Sequence, residues 1–213
     1  MSLPRVAILI SGRGSNMITL IEVARREKFC EVALVLANRP GAPGLSLANE
    51  IGIEAIVLDH TRFSSRDSFD EALDSELRAR RVDIVTLAGF MRILTPGFTL
   101  RWQGRLINIH PSLLPAFPGI RVHEEALAAG AAISGCTVHL VVPELGAGAM
   151  IGQATVPVQT GDTPETLAAR VLEAEHKLYP LCLRMICEGR VRLNNGRAVF
   201  ASGGPILLTQ PSN

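Results

Sequence analysis

"RVAILISGRGSNM", residues 5–17, reads as a strand that enters a tight turn and leaves as a helix. The first six residues form an apolar, partly β-branched run. Gly12 and Gly14 then permit a sharp change of direction, and Ser15 or Asn16 can cap the helix that follows. The same grammar recurs in "EVALVLAN", "EAIVLD" and "DIVTLAG", each a strand-like run with a helical stretch after it, before a fifth run, "LINIH", at 106–110. Regular alternation of this kind predicts an α/β fold: a mainly parallel, Rossmann-like twisted sheet with helices on both faces. Beyond it, "GCTVHLVV" and "MIGQATVPVQ" are two further strands, and a long helix begins at about Thr163, in which Pro180 should kink or end a turn. "NNG" at 194–196 marks a hairpin in a short C-terminal β extension. The expected organisation is one domain over residues 1–190, in halves of about 1–100 and 101–190, with a hairpin and tail over 191–213.

Charge and composition narrow the function. Lys and Arg total 21 against 20 Asp and Glu, for a net charge of +1, and there is no basic block. Nucleic acid is therefore not an expected partner, and a small molecule is. The N-terminal residues read as a first strand rather than a leader peptide, and no run approaches a membrane span. Cys30, Cys136, Cys182 and Cys187 show neither a CxxC pair nor zinc-like spacing with histidine, so no metal and no disulfide framework is expected. That pattern suits a reduced, cytoplasmic protein. The sequence does not report an oligomeric state; a homodimer is compatible with it.

The turn at residues 10–17 offers helix N-terminal amides to an anion. A dinucleotide fingerprint would want a third glycine where Met17 stands and an acid where Asn38 ends the second strand. A Walker-type Gly-Lys-Ser/Thr is absent as well. Two readings stay open: a site for the phosphate of a mononucleotide or sugar phosphate, or an ordinary strand-to-helix turn that binds nothing.

In "LINIHPSLLPAFPG", residues 106–119, side-chain alternation puts Ile107 and Ile109 on one face and Asn108 and His110 on the other, about 7 Å apart along the backbone. At the carboxyl edge of a parallel sheet, an amide can donate to a developing oxyanion and an imidazole can exchange a proton near neutral pH, which suits acyl transfer. Prolines 111, 115 and 118 would stiffen the exit. The alternative is a strand end whose Asn and His merely cap loop backbone. On the long helix, Val171, Glu175 and Leu178 fall at i, i+4 and i+7, so a carboxylate rides an apolar stripe and needs a partner. From the residues alone that partner would be a structural ion pair. His139 shares its strand face with Thr137 and Val141 and reads as structural; His60 and His123 carry no assigned role.

"INIHPSLLPAFPG" resembles the signature of the folate-dependent formyltransferases, and "ISGRGSN" and "LAGFMRIL" at 87–94 resemble those of the phosphoribosylglycinamide formyltransferase branch, with likeness in order from about residue 5 to 190. The resemblance implies transfer of a formyl group from 10-formyltetrahydrofolate, as cosubstrate, to the amine of glycinamide ribonucleotide in purine biosynthesis, with no metal. It implies that Asn108 holds the formyl oxygen and that His110 is the acid supporting the tetrahedral intermediate. Gly14, Ser15 and Asn16 would hold the ribotide phosphate, and Glu175 the ribose and amine end, placing the ribotide phosphate in the N-terminal half and folate and catalysis in the other. Folate would be lined by Leu87, Phe90, Met91, Arg92, Ile93, Leu94, Asn108, Val142, Glu144 and the backbone at Gly146, with Arg66 beside the ligands.

One departure stands out. Relatives carry "ELDxGPxIxQ" where this chain reads "ELGAGAMIGQ", residues 144–153, so that an aspartate expected beside the catalytic histidine is Gly146, and Ala149 replaces a proline. A carboxylate there would hold the imidazole tautomer and raise its pKa by about 1–3 units. By analogy with the Ser-His-Asp arrangement, its loss costs on the order of ten-thousand-fold in turnover. The alternatives to an impaired transferase are a non-catalytic folate or ribotide binder on the same fold, and a sister formyltransferase with another amine acceptor.

Overall fold

The computed structural model describes residues 2–143 and 148–209 of the chain, which form two compact units. The first holds residues up to Asn108 together with Val141–Pro143. It opens with β1 (Arg5–Ile10), α1 (Ser15–Glu27), β2 (Glu31–Ala37), α2 (Pro43–Glu50) and β3 (Ala55–Val57). A single 3-10 turn at His60–Arg62 then leads to α3 (Arg66–Ala79), β4 (Ile84–Leu87), α4 (Pro96–Arg101) and the first residues of β5 (Leu106–His110). These strands lie in the order β5-β4-β1-β2-β3, every neighbouring pair parallel. The predicted α/β alternation is thus present strand by strand.

Apolar spacing forms the helices, and on α3 and α4 a side-chain cap adds to it. On α1 the buried residues Met17, Leu20, Ile21 and Ala24 repeat at helical spacing. α3 starts at a reciprocal Ser65–Ser68 capping box and buries Phe69, Leu73 and Leu77. Those three pack with Leu34, Leu36, Phe98, Trp102 and Leu106 in one cluster. Fully burying a side chain of this size contributes about 1.5–3 kcal/mol. Two acids share that inward face. Asp70 Oδ2 accepts from the Thr95 amide at 2.6 Å, and Asp74 Oδ1 accepts from Trp102 Nε1 at 2.8 Å, so α4 is held by directional bonds as well as apolar contact.

The second unit takes up the chain from Ile109 to Leu140 and again from residue 148. It contains α5 (Val122–Ala128), β6 (Ile133–Leu140), β7 (Met150–Pro157), α6 (Pro164–Cys187), β8 (Val191–Asn194), β9 (Arg197–Phe200) and β10 (Ile206–Thr209). β6 and β7 are antiparallel, β10 pairs parallel with β7, and β8–β9 is the hairpin expected at "NNG". Sequence periodicity did not disclose α5, a short helix, or β10, a four-residue strand.

One local expectation is narrowed and another corrected. Of the two outcomes expected at Pro180, a kink or an end, the helix does not end: α6 continues to Cys187, with Leu178, Tyr179, Pro180, Cys182 and Leu183 all buried. Apolar burial on both sides of the proline outweighs the roughly 3 kcal/mol that an interior proline costs. At the other end of the chain, neither Ser15 nor Asn16 caps α1. The N-cap is Gly14, with φ 78° and ψ 28° and no side-chain cap. A glycine enters that left-handed conformation without a Cβ clash, so the turn needs no side-chain acceptor to form.

Candidate active site

In the first unit the strand order reverses at β1, with β2 and β3 following on one side and β4 and β5 on the other. Such a reversal opens a crevice beyond the carboxyl ends of the strands, where α/β proteins bind ligands. Ser11, the first residue past β1, organises this edge. Its amide donates to Gly89 O at 3.1 Å, and its hydroxyl donates to Asn38 Oδ1 at 2.5 Å while accepting from the Met91 amide at 2.8 Å. Its carbonyl accepts from Arg39 Nε at 2.5 Å. One buried serine therefore ties the glycine turn to the ends of β2 and β4.

The turn itself is packed from below by α2, where the Gly44 amide donates to Gly12 O at 3.1 Å. A Cβ on Gly44 would lie 2.6 Å from Ile10 Cδ1 and 3.1 Å from Gly12 O, so the close approach requires glycine. Ser15 is exposed and Asn16 buried at the start of α1. The first amides of a helix have no carbonyl of their own helix to bond, and they point out of its N-terminus with the positive end of the helix dipole.

The 87–94 segment divides by exposure. Leu87, Phe90 and Leu94 belong to the apolar cluster, whereas Met91 and Ile93 are 66% and 53% exposed. Arg92 lies 4.5 Å over the Phe69 ring, a cation–π contact, and its buried Nε has no hydrogen-bond partner among the described residues. Leu87 on β4 is the register partner of Asn108 on β5. Arg66 is the exposed first residue of α3, and Val142 is half-buried next to Val141, whose amide donates to Leu106 O at 2.8 Å. This unit therefore brings together Gly14, Ser15, Asn16, Leu87, Phe90, Met91, Arg92, Ile93, Leu94 and Asn108 along the carboxyl ends of its strands.

Burial along β5 alternates as expected: Ile107 and Ile109 are buried, and Asn108 and His110 are half-buried. In the second unit, His110 Nε2 lies 3.0 Å from Phe117 O. A carbonyl only accepts, so Nε2 carries the hydrogen and Nδ1 is the nitrogen left to exchange a proton. His123 and His139 are close enough to feel His110. Burial first, and that neighbour second, hold His123 below its ordinary pKa. For His139 burial again dominates, partly opposed by a bond to Leu140 O, with His110 adding to the depression. In both, burial favours the neutral imidazole. The register shift beside His139 has its extra residue, Ile151, on β7, so β6 keeps its alternation with Thr137 and His139 two apart on one face, and Val141 lies beyond that strand. Glu175 is 7% exposed between Val171 and Leu178, as the spacing predicted, and its charge adds to the burial that pushes the Cys136 thiol up. Glu144 and Gly146 lie outside the described residues.

Sequence reasoning missed two participants, Ser11 and the Phe117 carbonyl, and gave Asn38 no such part. Ser11 and Asn38 directly follow successive strands, a signal that was available. The Phe117 carbonyl was not, because any residue type supplies a backbone oxygen. Among the described residues no group of three or more His, Cys, Asp or Glu could hold a metal ion, and no helix is long and apolar enough to cross a membrane.

Comparison with known proteins adds independent findings. A family model for formyl transferase matches residues 4–183. Phosphoribosylglycinamide formyltransferase of Escherichia coli (strain K12) is 41% identical over 194 residues, covering 91% of this chain and 92% of that protein. The trifunctional purine biosynthetic protein adenosine-3 of Gallus gallus is 46% identical over 190 residues, and the matched segment is 89% of this chain but only 19% of that protein. The chain thus spans about a fifth of the length of the trifunctional relatives it matches. The crystal structure of glycinamide ribonucleotide transformylase 1 from Symbiobacterium toebii superposes with a TM-score of 0.91 at 40% identity, covering 94% of this chain and 95% of the other.

Proposed function

The chain belongs to the formyl transferase family, and on that premise we propose that it moves a formyl group from 10-formyltetrahydrofolate to the amine of glycinamide ribonucleotide, a step of purine biosynthesis. The observation that carries this reading is the pattern of β5, in which the two polar residues, Asn108 and His110, are the two left half-buried.

The proposed roles follow from the chemistry of each group. The helix N-terminus at Gly14, Ser15 and Asn16 holds the ribotide phosphate through backbone amides and the helix dipole. Glu175 holds the ribose and amine end. Exposed Met91 and Ile93, together with Leu87, Phe90, Leu94 and Val142, offer apolar surface to the folate, and Arg92 and Arg66 supply cations toward its polar groups. Glu144 and the backbone at Gly146 complete that lining in the proposal. As the amine nitrogen bonds to the formyl carbon, Asn108 donates to the oxygen that gains negative charge, and protonated His110 stabilises the same oxyanion. The bond from carbon to N10 then breaks, and the proton lost by the amine ends on N10, with His110 exchanging it through Nδ1. No metal takes part in this scheme. A cytoplasmic setting belongs to it and is supported by four free thiols; assembly as a homodimer is carried with it.

Purified protein mixed with both substrates, followed by folate absorbance and by formylated ribotide, tests the assignment. Turnover in the parent or its appearance in Gly146→Asp is the expected result; none in either sinks the substrate assignment. Gly146 itself favours a second reading, a binding protein without chemistry. Calorimetric binding of folate and ribotide with no transfer, even in Gly146→Asp, is its signature.

A further inference from the structure

We infer that Ser112 is a positioning residue for His110, acting through the carbonyl of Phe117; the catalytic consequence rests on the formyl-transfer reading above. Ser112 is 1% exposed, and its hydroxyl donates to Ala116 O at 2.6 Å with a longer branch to Phe117 O at 3.0 Å. Phe117 O is the same oxygen that accepts from His110 Nε2 at 3.0 Å. The serine therefore grips the two consecutive peptide groups that fix where the acceptor of the imidazole sits. Phe117 holds φ at 50°, a left-handed conformation that a non-glycine residue keeps only when its surroundings determine it.

The other side of the loop is pinned just as tightly. Thr137, on β6 and 1% exposed, donates through Oγ1 to Ser112 O at 2.7 Å and accepts from the Leu114 amide at 3.0 Å. Gln153, opposite it on β7, donates through Nε2 to Thr137 Oγ1 at 3.0 Å and to Leu114 O at 2.9 Å. Two sheet residues thus fix the backbone of 112–114, Ser112 passes that fixity to 116–117, and Phe117 O passes it to the imidazole. A capping serine with no bearing on His110 would need only one of these bonds. Orientation of a histidine by a backbone acceptor selects its tautomer, here Nε2–H, and keeps Nδ1 for proton exchange.

The experiment uses protein with ¹⁵N-labelled histidine, the His110 signals being assigned by their loss in His110→Gln. The parent is expected to show the Nε2–H tautomer for neutral His110. In Ser112→Ala the signals shift toward a mixture of tautomers, and kcat falls about ten-fold while both KM values stay within about two-fold. Ser112→Thr, which keeps a hydroxyl, restores both readouts. A parent spectrum with the Nδ1–H tautomer overturns the inference without any variant, as does a folded Ser112→Ala with unchanged His110 signals. A protein that shows the expected tautomer and its loss in Ser112→Ala, yet no formyl transfer even with Gly146→Asp, refutes the substrate reading and leaves the positioning intact; where only Gly146→Asp turns over, the kcat comparison is made in that background.

Discussion

Replacing Gly14 by alanine tests the account of the glycine turn, with Gly12→Ala as its internal control. Gly14 sits at φ 78°, where a Cβ would lie 3.0 Å from Met17 Cε and 3.2 Å from Gly44 Cα. A left-handed conformation costs an L residue about 1–2 kcal/mol. The methionine methyl can swing away, but the backbone of Gly44 cannot, and the buried α2 contact adds to the strain. Against this, alanine loses less unfolded-state freedom than glycine, which offsets about 0.4–1 kcal/mol. The net expectation is a loss of about 1–2 kcal/mol, or a fall in melting temperature of roughly 2–8 °C for a chain of this size. Gly12 lies outside the left-handed region and a Cβ there meets nothing within 4 Å, so the same unfolded-state effect is unopposed. Gly12→Ala should leave stability unchanged or raise it by up to about 1 kcal/mol. Urea and thermal unfolding of the three proteins decide the matter. If the two variants are equally stable, neither the backbone conformation at Gly14 nor its approach to Gly44 matters as argued.

Two further outcomes follow from buried polar groups. Trp102→Phe keeps an aromatic ring against Phe98 but deletes the hydrogen that Nε1 gives Asp74 Oδ1 and leaves part of the buried indole's space empty, so stability should drop by at least about 1–3 kcal/mol with an unchanged urea m-value. An unaltered midpoint would show that the bond adds nothing to packing. Asp162 accepts from Arg170 at 2.7 and 2.9 Å, and these bonds hold its carboxyl well below the usual range. A depressed folded pKa means a contribution complete above the unfolded carboxylate value of about 4 and lost as pH falls through that value toward the folded one. Between about pH 5 and pH 2 the parent should lose more stability than Asp162→Asn, whose amide does not titrate; parallel acid titrations of the two, read by urea unfolding, contradict this if they run together.

The fold was legible because the first five strands are short apolar runs punctuated by helix starts, and a parallel sheet buried on both faces needs that composition. α5 escaped because seven residues give too few turns for periodicity, and β10 because a strand that pairs only at its end of the sheet carries little pattern. Pro180 left a kink or an end open for a different reason. Local propensity disfavours an interior proline, and tertiary burial along α6 carries the helix through it. In the site, alternation correctly set Asn108 and His110 apart from Ile107 and Ile109, and helical spacing correctly put Glu175 inside. What no side-chain pattern could disclose is the part made by backbone: the left-handed cap at Gly14 and the carbonyl facing His110.

That carbonyl changes the expected consequence of Gly146. An acid beside an imidazole fixes its tautomer and also offsets the charge that develops on it. Losing both, as in the Ser-His-Asp comparison, costs on the order of ten-thousand-fold. Here Phe117 O accepts from the imidazole and orients it without a carboxylate, so in the proposed scheme an acid at position 146 would add the charge alone. An adjacent opposite charge shifts a pKa by about 1–3 units, and each unit is a factor of about ten in equilibrium, so Gly146→Asp should raise kcat by roughly ten- to a thousand-fold. Steady-state kinetics on both proteins at one pH measures the ratio. A rise of about ten-thousand-fold or more would mean that the parent imidazole is unoriented as well, contradicting the role given to the Phe117 carbonyl. Equal and substantial turnover in the two proteins would mean that the negative charge comes from elsewhere, and Glu144→Gln would then remove it.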